Sequence, residues 1–231
     1  QIFTSSELGW DSSNIHVTFL PPIGGFVGSD VLAGIVAMRL DKNPRTVGLM
    51  DLGTNGEVVI AGGGRILCAS TAAGPAFEGA RIACGMRAST GAIYSVRRHG
   101  NEIKCEVIGG EKPRGICGSG LVDAICTGLD AQIIHCSGRF TNGQQNWPLV
   151  DPIALQQKDI RELQLAKGAI AAGLLILLQE IGASNETLDY LYLAGAFGNY
   201  VNRESACRIG LVPVSPDKVI QCGNAALLGA K

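Results

Sequence analysis

The sequence encodes an α/β domain whose mixed sheet contains antiparallel hairpins and is flanked by helices. Three observations predict it. Short apolar runs separated by glycine turns fill residues 46–108, and helical periodicity then alternates with one buried strand. Hydrophobic residues make up 46% of the 231 and charged residues 17%, the composition of a chain that packs a large core. The 32 glycines cluster between apolar runs, where tight turns and close backbone approach require them. The order is not a strict β-α-β repeat, which excludes a Rossmann domain.

Each element has its own signal. Pro21-Pro22 closes a mixed opening segment. A helix follows over residues 31–40, with Ser29 or Asp30 as its expected cap. Residues 46–52, 57–61 and 65–69 read as three strands of a meander, turned at Gly53–Gly56 and at Gly62-Gly63-Gly64. Residues 70–79 form a loop or short helix. Residues 91–98 and 102–108 form a hairpin turned at His99-Gly100-Asn101. A helix opens after the glycines of residues 115–120. The clearest helix covers residues 158–181: Leu163, Ala166, Ile170, Leu174, Leu177 and Ile181 recur at three and four, and Gly182 stops it. Residues 188–194 are a buried strand, 195–198 a tight turn, and 204–209 and 224–230 short helices.

Charge and composition exclude several functions. The net charge is −1 and aromatics are 5%, so neither a basic field nor a stacking surface is available for nucleic acid or an anionic membrane. The apolar run at residues 169–178 is shorter than the roughly 20 residues a membrane span needs. The eight cysteines form no Cys-x-x-Cys pair, which suits free thiols in a reducing compartment, and a cytoplasmic location is expected. His16, His99 and His135 match no metal spacing. The chain opens on Gln1 without an initiating Met, as a piece of a longer protein would.

Four segments carry candidate chemistry. Asp51-Leu-Gly53-Thr54-Asn55-Gly56-Glu57 follows an apolar strand. Its glycines let backbone meet a ligand, successive N–H groups make an anion-binding nest, and Thr54 and Asn55 add side-chain donors. Asp51 is placed to hold Mg²⁺ through water. A plain Asn-Gly type I′ hairpin fits the same residues. Gly118, Ser119 and Gly120 open a helix, where free N–H groups and the dipole favour phosphate; close helix packing fits them as well. Gly195, Ala196, Gly198 and Asn199 follow a buried strand, a turn on which a nucleobase or ribose can lie and which ordinary turn chemistry also explains. Glu78, an acid among apolar neighbours, is a candidate to act on water or metal, or a capping acid. Three glycine turns beside buried strands suit a nucleotide clasped between lobes.

In this order, Asp51–Glu57, residues 70–79 and 115–123, the turn at 193–198 and residues 223–230 closely resemble the C-terminal domain of the reductive activators of corrinoid proteins. That domain belongs to the acetate and sugar kinase, heat-shock protein and actin superfamily. The resemblance implies a ribonuclease-H-like, actin-like lobe with ATP and Mg²⁺ as ligands; Asp51 and Glu78 are the candidate catalytic residues. The turn at Asp51 becomes the second phosphate segment, and Gly195 to Asn199 the adenosine segment. It implies that ATP hydrolysis is coupled to one-electron reduction of Co(II) to Co(I) in a partner corrinoid protein. The electron comes from a ferredoxin-like domain with a [2Fe–2S] cluster. That domain and the first phosphate segment are absent from this chain. Residues 1–45 are then a remnant of the first lobe with a connecting helix, and 46–231 the second lobe; alone, this half-site is expected to be weak or inactive. A non-hydrolytic nucleotide- or partner-binding module of an iron–sulfur redox protein is the alternative. A third reading is an activator with a [4Fe–4S] cluster at a homodimer interface, for which Cys117 or Cys84 are the candidate ligands.

Overall fold

The computed structural model describes residues 2–11, 15–100 and 102–231. It opens with a small antiparallel pair, β1 (Ile2–Thr4) and β2 (His16–Thr18), followed by α1 (Ser29–Ala37). Next come β3 (Val47–Leu52), β4 (Gly56–Gly62) and β5 (Arg65–Thr71), the expected meander. β6 (Ala92–His99), β7 (Glu102–Val107) and β8 (Gly115–Ile116) precede α2 (Gly118–Asp130). The hairpin β9 (Asn146–Val150) and β10 (Ile153–Gln156) leads into α3 (Gln157–Glu180). The chain ends with β11 (Tyr190–Ala194), α4 (Gly195–Tyr200), α5 (Arg203–Arg208), β12 (Val219–Gly223) and α6 (Ala225–Ala230).

The main sheet has five strands in the order β12-β11-β3-β4-β5. β11 runs parallel to both β12 and β3, while β3, β4 and β5 are antiparallel. The sheet is therefore mixed, as the sequence predicts. Both faces are covered. Met50, Leu52, Val58 and Ile60 belong to the large core under α3, whereas Val47, Leu49, Val59 and Ala61 pack with Val31, Ile35 and Ala225 of α1 and α6. That double burial explains why these strands read as continuous apolar runs. A second sheet, in the order β7-β6-β8, extends the large core together with α2.

Several expectations are corrected. Ser29 and Asp30 do not cap α1; they lie inside its first turn, and the cap position is Gly28 with no side-chain bond. The expected tight turn at 195–198 is a helical segment, α4, because Gly195 takes the left-handed φ of +82° and lets the chain wind directly out of β11. β8, β9, β10 and β12 carry too weak a pattern to be read from sequence. β12 lies at the sheet edge with exposed Ile220 and Gln221, and β9 contains Pro148. The β6–β7 turn includes Gly100 with φ +62°, while Asn101 lies outside the described residues.

α3 is the longest helix described. Gln156 and Asp159 close a reciprocal capping box at its start, and Gly182, with φ +78°, follows its end. By length and composition it is the one described helix that could cross a membrane. One face, from Ile160 to Leu178, packs into the large core, and Leu165 and Ile176 lie exposed on the other.

Candidate functional site

The three glycine turns converge on one cleft of about 500 Å³. β3 ends at its rim with Asp51, Leu52 and Gly53; the helical turn Pro75–Glu78 brings Phe77 and Glu78; α2 opens on it with Gly118 and Ser119; α4 supplies Gly195, Ala196, Phe197 and Tyr200. Strand pairing fixes Asp51, which stands opposite Glu57 of β4 and Ala194 of β11.

Asp51 is the electrostatic centre. Burial raises its carboxyl above the ordinary carboxylate range, and the nearby Glu57 and Asp30 carboxylates raise it further. Its Oδ1 lies over Gly195, where an added Cβ would stand 2.5 Å away. Gly195 is thus required twice, by its positive φ and by this clearance. A cation at Asp51 would relieve the repulsion. Among the described residues no three His, Cys, Asp or Glu side chains gather as a metal site. A half-buried carboxylate beside two others is a donor that could hold an ion such as Mg²⁺, which takes one or two carboxylates together with substrate phosphates and water.

Glu78 is exposed at the rim and accepts a hydrogen bond from the Thr54 hydroxyl, tying the first turn to the Pro75–Glu78 turn. Phe77 and Phe197 stack with ring centroids 4.5 Å apart and planes 21° apart. Gly118 passes beneath them: a Cβ there would strike the Phe77 carbonyl and come within 3.0 Å of the Phe197 ring. The aromatic pair thereby joins the start of α2, α4 and the Glu78 turn.

Other sequence candidates lie elsewhere. Gly56 does not line the cleft; a Cβ there would meet Ile170 of α3 at 2.7 Å and the Thr71 hydroxyl at 2.8 Å. Gly120 clears the Ile93 carbonyl, and Gly198 packs on Leu193. Asn55 is exposed on the turn, and Glu57 accepts from the Ser70 hydroxyl at 3.0 Å. Asn199 faces a neighbouring pocket. Within the turn, the Gly53 N–H donates to the Asn55 carbonyl at 3.0 Å, and neither Asn55 nor Gly56 has positive φ. A type I′ hairpin is therefore not formed, and one N–H expected to face a ligand is used inside the loop. Cys117 is buried with its Sγ 3.3 Å from the Ser119 hydroxyl, and Cys84 is half-buried.

Sequence reasoning did not assign roles to Phe77, Arg87, Phe197 or Tyr200, all of which line the cleft. Phe197 sits between Ala196 and Gly198, and Phe77 follows Ala76 in a segment bounded by Gly74 and Gly79, so each is a lone aromatic in a glycine-bearing segment. Arg87 carries no such mark.

Residues 46–231 match the family model described as the C-terminal domain of RACo, the ASKHA domain. The chain belongs to this family. Its members' actin-like fold is the one seen here. A solved structure of a reductive activator for corrinoid, iron–sulfur protein superposes with a TM-score of 0.84 at 32% identity, covering 99% of this chain and 40% of that one. The corrinoid activation enzyme RamQ of Eubacterium limosum is 38% identical over 93% of the chain and 40% of its own length. The [Co(II) methylated amine-specific corrinoid protein] reductase of Methanosarcina barkeri is 32% identical over all of the chain and 47% of its own length. The chain thus spans less than half of these family relatives.

Proposed function

We propose that this chain is the nucleotide-binding part of a reductive activator of corrinoid proteins. ATP binding and hydrolysis at the cleft would drive one-electron reduction of Co(II) to Co(I) in a partner corrinoid protein. The electron would come from an iron–sulfur domain, of the [2Fe–2S] ferredoxin type, elsewhere in the whole protein. The observation that carries this reading is the meeting of the Asp51, Gly118 and Gly195 turns on one cleft in a chain of this family. The similarity to a corrinoid activation enzyme, a corrinoid protein reductase and a reductive activator supports it.

The residues divide the work as follows. Asp51 would hold Mg²⁺, which when bound would supply charge neutralisation at the phosphates. The start of α2, with Ser119, faces phosphate with N–H groups that have no partner inside the helix. Glu78, tethered by Thr54, orients the attacking water. Catalysis here consists of positioning and charge stabilisation. The cobalt spectrum of a purified corrinoid partner, mixed with the whole protein and a reductant, tests the reading. Co(I) should form with ATP and not without it, and Asp51→Ala should abolish its formation. Full-rate reduction by that variant would remove Asp51 from the mechanism.

A further inference from the structure

α3 turns an apolar face to solvent along most of its length. Leu165 is 70% exposed, Ile176 58% and Leu175 44%, and Gly168 and Ala172 lie exposed between them. Arg161, Leu165, Gly168, Ala172, Leu175 and Gln179 recur at three and four, so they form one stripe down the helix. The opposite stripe, from Ile160 to Leu178, packs into the large core. Above Gly168 there is open space: an added Cβ would meet no heavy atom of the described residues within 4 Å. Single apolar side chains are normal on a surface, but a continuous stripe of large ones around small ones is a face that lacks its cover.

The stripe reads the same from both ends. Leu165 and Leu175 lie five residues either side of Ile170, Gly168 and Ala172 two, and Arg161 and Gln179 nine. A two-fold axis at the level of Ile170 therefore sets Leu165 on Leu175 of a second copy and Gly168 on Ala172. One patch is then complementary to itself, as an isologous dimer requires. The small residues at the centre let the two helices approach closely, and the leucines fill the space on either side. The ends agree in charge. Lys158 and Arg161 stand exposed at the amino end of α3, and Glu180 at the carboxyl end. Among the described residues neither Arg161 nor the Glu180 carboxylate has an ion-pair partner; Arg161 donates to the neutral Gln164 at 2.9 Å. Antiparallel packing lays each cationic end beside the anionic end of the other copy, and the helix dipoles then oppose favourably. A membrane surface fits less well. A helix lying in one carries Lys and Arg along its polar face, whereas the two exposed cations here stand at one end.

We propose that α3 is the contact of a homodimer, in which two copies of the helix pack antiparallel about a two-fold axis at Ile170. None of these residues lines the cleft, so the proposal stands apart from the nucleotide reading. Sedimentation equilibrium of the whole protein, with its other domains in place, tests it. The parent protein should be a dimer at micromolar concentration. Leu165→Asp enters the contact twice by symmetry and should raise the dimer dissociation constant about a hundredfold. Its melting in the monomer should stay within about 2 °C of the parent, because Leu165 lies outside the core. Arg161→Glu should weaken the dimer about tenfold, and adding Glu180→Arg should restore it to within about threefold. A merely damaged fold would not recover in this way. A monomeric parent protein overturns the proposal and leaves the other domains as the cover of α3. A dimer that Leu165→Asp leaves intact overturns it too, by placing the contact elsewhere. Failure of Glu180→Arg to rescue Arg161→Glu overturns the antiparallel arrangement.

Discussion

At the scale of single residues, clearance and desolvation decide most outcomes. Gly195 combines a φ of +82° with an Asp51 carboxylate oxygen where its Cβ would be. In Gly195→Ala, forcing alanine into the left-handed region costs about 1 kcal/mol or more, and the methyl must also displace Asp51. Thermal unfolding should fall by roughly 2–4 °C per kcal/mol in a domain of this size, and ATP binding should be lost with it. Unchanged melting and affinity would show that the turn relaxes freely. Thiol chemistry gives a second test. Burial, reinforced by Glu204 and Asp51 respectively, pushes the Cys207 and Cys222 thiols up to about 11, while Cys136 is exposed. Only the thiolate alkylates, so at pH 8 Cys136 should be labelled before either of them in the native protein. Raising the pH by one unit should then speed Cys207 and Cys222 about tenfold, because their thiolate fraction grows in proportion below the pKa. Mass spectrometry of peptides from a labelling time course checks the order.

At the scale of elements, α3 shows how one helix can satisfy a sheet with one face and leave the other bare. Ile170 is fully buried against the sheet, next to Gly56, whereas Leu165 is 70% exposed. Ile170→Ala should cost about 2–5 kcal/mol through lost burial and a cavity, and Leu165→Ala less than about 0.5 kcal/mol. Denaturant titration of the two variants as monomers measures the contrast. Comparable losses would mean that the outer face is covered within one copy. α3 was legible in the sequence because its apolar stripe keeps a strict three-and-four spacing. β12 was not, because an edge strand needs to bury only part of its side chains. The glycines of the first turn divide in the same way: sequence marks Gly53 and Gly56 alike as turn residues, but the structure places Gly56 at the start of β4, facing α3.

At the scale of the whole molecule, the mixed sheet, its antiparallel meander and each glycine turn singly were readable, because each leaves a local pattern. What was not readable depends on pairs distant in sequence. The Phe77–Phe197 stack, the overlap of Asp51 with Gly195 and the burial of the Asp123 carboxyl beside Ser95 exist only once α2, α4 and β6 are brought together. Asp123 even lay inside a recognised segment, yet nothing local marked its carboxylate as buried. The site is therefore legible as a set of turns and illegible as a set of contacts.

The crossing of α1 and α6 carries a topological consequence. Gly229 lies against the Ala33 carbonyl, and Ala225 lies beside Gly34. α6 thus crosses α1 at Ala33 and Gly34, within a turn or so of Ser29, and Lys231 follows two residues after Gly229. From Ser29 onward the polypeptide is almost a closed ring whose seam is this crossing. A circular permutant that joins Lys231 to Ser29 through a short glycine-serine linker and opens at the exposed Glu111–Lys112 stretch should unfold cooperatively, within roughly 5 °C of the parent. Loss of cooperative unfolding would show that the seam depends on the natural order of the chain.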